Sequence, residues 1–290
     1  MPTAEELAAA GLRTTVNSTC RGTALDLGAT VTSWKPRGQR DVLFLSREAL
    51  VGVDDEIHGG IPICAPWFGK GRDDVHVPRP HGLVRWVPWR LVEGTTTDDM
   101  TTLVWELSGA DVAHLPGAGD YPSDIWFRHE VRFGERLHLS FTAGSPSTSF
   151  VLDEAFHCYF AVSEITDVVI DGLAGSRYRD YTDGATWHDA EDVLRIPGHT
   201  DRIYDAPGNV TITDDDRVIT LRPTDAANTI VWNPGPRGAE SLTGWAAEEW
   251  TQMVCVEVGN VQRSAVTVPA GGSHTLALDV EVSAFPKFVP

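Results

Sequence analysis

Lysine is nearly missing from this 290-residue chain: Lys35, Lys70 and Lys287 stand beside twenty arginines. Acidic residues outnumber basic ones 41 to 23, so the net charge is −18 and the pI is near 4.8. A surface this acidic repels nucleic acid and anionic membranes, which argues against both as partners. It repels phosphorylated metabolites too, so such a substrate needs arginines gathered locally, where the guanidinium fork suits bidentate anion recognition. Cysteine is scarce. Cys20, Cys64, Cys158 and Cys255 show no CxxC or zinc spacing, and two of them fall inside apolar runs. A chain of this size needs no disulfide staples, so the thiols read as free and buried, in a reducing compartment. No run approaches the ~18 apolar residues of a membrane span. The opening "MPTAEELAAAGLRTTV" has neither the basic start nor the apolar stretch of a secretory leader. A soluble cytoplasmic protein is the expectation.

Long amphipathic helices are absent as well. "PTAEELAAAG" offers a threonine cap, early acids and a closing glycine, which predicts one short helix at about 3–10. "SREAL" and "GWAAEEW" each predict a helical turn or two. Elsewhere the period is two. "SDIWFRHEVRFG", "RLHLSFTAG", "TDVVIDGL", "NTIVWNPG", "MVCVEVGNV" and "SHTLALDVEVS" are strand-length runs of β-branched and aromatic residues bounded by turn formers. "TITDDDRVITL" predicts a hairpin with Asp214, Asp215 and Asp216 at a solvated tip. Regularly spaced strands with almost no helix between them predict an all-β, antiparallel sandwich or barrel, one domain over residues 1–290.

Within "EAFHCYFAV", Phe156, Cys158, Phe160 and Val162 share one apolar face, while Ala155, His157, Tyr159 and Ala161 share the other. His157 therefore points away from the core. In "MVCVEVGN", Val254, Val256 and Val258 face one way and Met253, Cys255 and Glu257 the other. A carboxylate among hydrophobic neighbours needs a partner or a purpose. The stretch 57–89, dense in Gly, Pro, Trp and His, is too irregular for plain strands and too apolar for a solvated linker; long ordered loops of this kind carry function. Trp67, Phe68, Trp86 and Trp89 offer aromatic faces to a sugar ring, although sealing the core beneath the loop is the commoner use. His58, His76, His81 and Glu257 show no paired-ligand spacing, so no metal and no cofactor are expected.

"HGGIPICAPWFG", then "RPHGLVRWVPWRL", "FHCYFAV", "TDRIY", "IVWNPG" and "MVCVEVGN", in that order, resemble the aldose 1-epimerase (galactose mutarotase) superfamily, and most nearly its hexose-6-phosphate 1-epimerase branch. The resemblance implies a galactose mutarotase-like supersandwich, a large antiparallel β-sandwich with its sugar site on an open concave sheet face. It implies a cofactor-free isomerase that interconverts the α and β anomers of an aldose. On that pattern His157 is the general acid at the ring oxygen, Glu257 the general base at the anomeric hydroxyl, His81 an assistant near the ring oxygen, and Asp201 a ligand of sugar hydroxyls. The branch pattern Arg-Gly-Gly-Ile-Pro, whose arginine holds the phosphate, reads His58-Gly-Gly-Ile-Pro here; the second arginine is kept as Arg85, with Arg72 and Arg79 nearby. A histidine is a poorer phosphate ligand than a guanidinium fork. A hexose 6-phosphate leads, with free hexose as the alternative. A carbohydrate-binding protein without turnover is a further reading, disfavoured by the acid–base pair. Glycoside cleavage needs two carboxylates flanking a bond, and Asp153, Glu154 and Asp201 are doubtful second members.

Overall fold

The computed structural model describes residues 2–72, 74–77 and 79–285. Alternating side chains dominate the sequence, and the chain answers with antiparallel strands in two eight-stranded sheets, a three-stranded sheet and a two-stranded ribbon. One large sheet runs in the order Val169–Asp171, Val210–Thr213, Arg217–Thr224, Ser273–Ala284, Leu137–Gly144, Trp126–Phe133, Thr101–Ser108, Arg90–Thr96. The other runs Thr186–Asp189, Arg177–Asp180, Thr200–Tyr204, Asn228–Asn233, Met253–Asn260, Glu154–Phe156, Ile63–Cys64, and Tyr159–Ala161 also pairs with Met253–Asn260.

One core joins the sheets. Phe156, Cys158, Phe160, Val254, Val256 and Val258 meet Phe133, Leu139, Phe141, Leu276 and Leu278, all buried in a single cluster. Each large side chain so buried contributes about 1.5–3 kcal/mol. The opposite face of the second sheet is left to His157, Tyr159, Glu257 and their neighbours, as the alternation predicts.

The short helix forms at Ala4–Ala9; Thr3 caps it, and Thr3 and Glu6 exchange side chain-to-backbone hydrogen bonds. "GWAAEEW" contributes a 3₁₀ helix at Ala247–Gln252, but "SREAL" forms no helix. There the Ser46 hydroxyl donates to Glu249, 2.8 Å away, and accepts from the Glu48 amide, a local alternative to helical bonding. The hairpin is present, with Val210–Thr213 paired to Arg217–Thr224. Its tip differs from expectation: Asp214 is buried, accepts from the Ser163 amide at 3.1 Å and pairs with Arg40. Arg217 is buried beside it and donates to the carbonyls of Asp41 and Ala161. The strand expected through 154–162 is broken at His157 and Cys158, because the His157 amide turns to the Pro62 carbonyl at 2.9 Å.

Candidate active site

The break does not lose register. Phe156 pairs with Val258 and Tyr159 with Cys255, so equal residue counts set His157 opposite Glu257. Residues directly opposed on neighbouring strands project to the same face. His157 Nε2 lies 3.5 Å from Glu257 Oε1. The imidazole is fixed by stacking on Tyr159, with centroids 4.7 Å apart, and by edge contacts with His81 at 5.4 Å and Trp232 at 6.3 Å. Both groups are buried, and Glu257 Oε2 and His157 Nδ1 have no hydrogen-bond partner among the described residues. Polar atoms in that state await a ligand or carry strain.

Burial pushes the Glu257 carboxyl well above its ordinary range; Asp201 adds to this and Arg85 opposes it. Burial drives His157 well below the ordinary histidine value, and neighbouring His81, Arg85 and His58 each oppose a second positive charge there. Groups this close titrate as a pair. With one pushed up and the other down, the pair holds a single proton over a wide pH range, resting on the carboxyl. Moving that proton across the 3.5 Å contact gives carboxylate and imidazolium.

His81 sits on a reversal in which His81 and Gly82 both take left-handed backbone, φ +66° and +86°. Its Nδ1 accepts from the Gly69 amide at 3.3 Å, so Nε2 carries the hydrogen. Burial and Arg85 lower its pKa to about 3, which keeps it neutral. Gly82 is tightly enclosed: a Cβ there would stand 1.9 Å from the Ala65 carbonyl oxygen. Gly82→Ala is therefore expected to cost about 2–5 kcal/mol, read from denaturant unfolding, and to misplace His81. An unchanged midpoint would show the reversal to be soft.

These residues line a cavity of about 580 Å³, within the range of small-molecule sites. Ile203, Ile230 and Trp232 supply apolar surface; Glu56, Asp201 and Glu257 supply carboxylates; Lys70 is the one lysine or arginine among the lining residues. Residues 13–281 match the aldose 1-epimerase family model.

The chain belongs to the aldose 1-epimerase family.

It is thus an isomerase of the sugar-epimerase type, with the galactose mutarotase-like fold. It is 28% identical over 260 residues to an Escherichia coli protein named "Putative glucose-6-phosphate 1-epimerase", covering 88% of this chain and 85% of that one. A Salmonella typhimurium protein of the same name is 30% identical over 234 residues, covering 79% and 76%. The crystal structure of "a putative mutarotase (YeaD) from Salmonella typhimurium" superposes with a TM-score of 0.86 at 26% identity, covering 94% of this chain and 90% of that one.

Against this epimerase frame, His58, His81, His157, Asp201 and Glu257 line the cavity and Arg85 does not. Arg85 is buried behind it with Nη1 3.2 Å from Glu56, and Glu56 takes the place at the wall. His58 stands edge-on to Trp245 at 5.6 Å, and burial lowers its pKa. Arg72 and Arg79 are held by Asp153 and Asp54, at 3.2 and 2.8 Å. Trp67 and Trp89 join the core and Trp86 is buried, whereas Phe68 faces the cavity. Sequence reasoning passed over Glu56, Lys70, Tyr181, Trp232 and Gln262. Trp232 was within reach, since it shares its strand face with Ile230. The others sit on the wall only through tertiary contacts. For a cation, His157, Cys255 and Glu257 bring one ligand atom each within 4.8 Å of one another. Burial raises the Cys255 thiol, so a metal bound there would have to displace its proton. No helix among the described residues is long and apolar enough to cross a membrane.

Proposed function

We propose that the chain interconverts the α and β anomers of an aldose, with a hexose 6-phosphate as the preferred substrate. The observation that carries the reading is the buried pair His157 and Glu257, 3.5 Å apart and in register on the wall of a sugar-sized cavity. An anomeric hydroxyl donating to Glu257 and a ring oxygen accepting from His157 favour the carboxylate–imidazolium placement of the shared proton. Glu257 then takes the hydroxyl proton, His157 gives its own to the ring oxygen, the C1–ring oxygen bond breaks and the C1 carbonyl forms. The proton ends on the carboxyl and the imidazole is neutral, the arrangement that burial favours. Rotation about C1–C2 presents the other carbonyl face, and closure reverses both transfers. His81 donates from Nε2 to the ring oxygen, Asp201 accepts from sugar hydroxyls, and Trp232 and Tyr159 flank the ring. No group outside the chain enters any step.

The phosphorylated substrate is supported by the names of the Escherichia coli and Salmonella relatives. A cytoplasmic location is supported by four buried free thiols. One domain over residues 1–290 is supported by the continuous core. The reading is tested by NMR exchange spectroscopy between anomers of glucose and glucose 6-phosphate, after subtracting the spontaneous rate. Acceleration of glucose 6-phosphate beyond that of glucose supports the reading, and acceleration of glucose alone keeps the anomer exchange but overturns the preference. No acceleration of either leaves only a binding protein.

A further inference from the structure

The wall where the branch pattern expects a phosphate ligand has lost its free cations. His58 is neutral and Glu56 holds Arg85. A group of cations stands just outside the cavity lining, around Trp187. Arg177, Arg179 and Arg263 bring their guanidinium carbons to 5.1, 5.9 and 5.7 Å from the centre of the Trp187 ring. Arg179 also lies 5.3 Å from Tyr181, whose hydroxyl donates to Gln262 at 2.6 Å, and both of those residues line the cavity.

Register fixes the direction of this cluster. Glu257 pairs with Ile230, Ile230 with Ile203, Ile203 with Arg179, and Arg179 with Trp187. One row of the sheet thus carries base, apolar floor, arginine and indole on the same face. Three strand spacings separate Glu257 from Arg179, about 14 Å between backbones. Arg179 Nε donates to the Ala185 carbonyl at 3.3 Å, and the spacing along the row suits a hexose phosphate with C1 at Glu257. Lys70 lines the cavity together with Tyr181 and Gln262. Asp153 accepts from the Gln262 amide at 3.1 Å and the Phe68 amide at 3.4 Å, and so ties the Lys70 loop to the segment that carries Arg263.

Among the described residues, neither Arg179 nor Arg263 has a carboxylate within salt-bridge distance, and Arg177 has only Asp189 at 3.7 Å. Three like charges around one indole repel, on a chain with 41 acids available to neutralise them. We propose that Lys70, Arg179 and Arg263 form the anion subsite of this epimerase and hold the phosphate of a phosphorylated aldose beside Trp187. This rests on the anomer-exchange reading for the sugar's orientation, and binding tests it separately from turnover.

The test is titration calorimetry of glucose 6-phosphate and glucose against the full chain and the double variant Arg179→Gln, Arg263→Gln, with Arg263→Lys as the charge-retaining control. The expected result is about tenfold or more weaker binding of the phosphate ester by the double variant. Glucose binding is unchanged, and Arg263→Lys stays near wild type. Equal weakening for both sugars, or none for the phosphate ester, overturns the subsite. Phosphate-selective binding that depends on these arginines, without anomer exchange, supports the subsite and overturns the catalytic reading.

Discussion

Glu257→Gln is expected to lower enzyme-dependent anomer exchange by about a thousandfold or more, within the range for loss of a positioned acid–base group. The amide keeps the shape of the side chain and a hydrogen-bonding oxygen but cannot take the anomeric proton. Sugar binding is largely spared, because His58, His81 and Asp201 still line the cavity. Stability moves the other way. Burial raises the Glu257 pKa in the folded chain, so the native state binds a proton that the unfolded state has lost at neutral pH. Its contribution is therefore present at low pH and lost as pH rises. Glutamine has no such loss, so at pH 7 or above the variant should melt no lower than wild type. Calorimetric binding, a melt and exchange NMR on one preparation check the three parts. Exchange at the wild-type rate would remove Glu257 from the base's role.

His157→Asn is expected to cost about a hundredfold to ten-thousandfold in the same assay. Its signature differs from that of Glu257→Gln. Without the imidazole, the proton on Glu257 has no partner 3.5 Å away to which it can move, and the ring oxygen has only neutral His81 as donor. Residual exchange should then depend on the leaving ability of the ring oxygen more than in wild type. Comparing aldoses whose ring oxygens differ in basicity checks this. A variant within a fewfold of wild type on every sugar would show that His81, not His157, is the acid.

Much of this was legible in the chain. Period-two runs announced the antiparallel sheets, and their alternation put His157 and Glu257 on the face away from the core, where both lie. The motif order announced the family. Three things were not legible, each for a tertiary reason. The strand breaks at His157 because its amide finds Pro62 in a distant loop. Arg85 leaves the cavity because Glu56, twenty-nine positions earlier, neutralises it at the wall. Asp214 looks like one of three solvated tip residues, yet Ser163 and Arg40 from other segments bury it. Likewise the arginines around Trp187 come from the strand Arg177–Asp180 and from the turn that holds Arg263, and only sheet register brings Arg179 into line with Glu257.

The central claim is that one proton, shared by His157 and Glu257, serves both ends of the reaction. With His157 displaced downward and Glu257 upward, the pair takes a second proton only at low pH and loses its single proton only at high pH. The measurement that tests this most directly is the pH profile of kcat/KM for anomer exchange, corrected for the spontaneous rate. The account predicts a profile that runs flat through the ordinary histidine range, with one limb displaced to the acid side and the other to the alkaline side. A limb near 6.5, where a free histidine titrates, would show two groups acting independently and would contradict it.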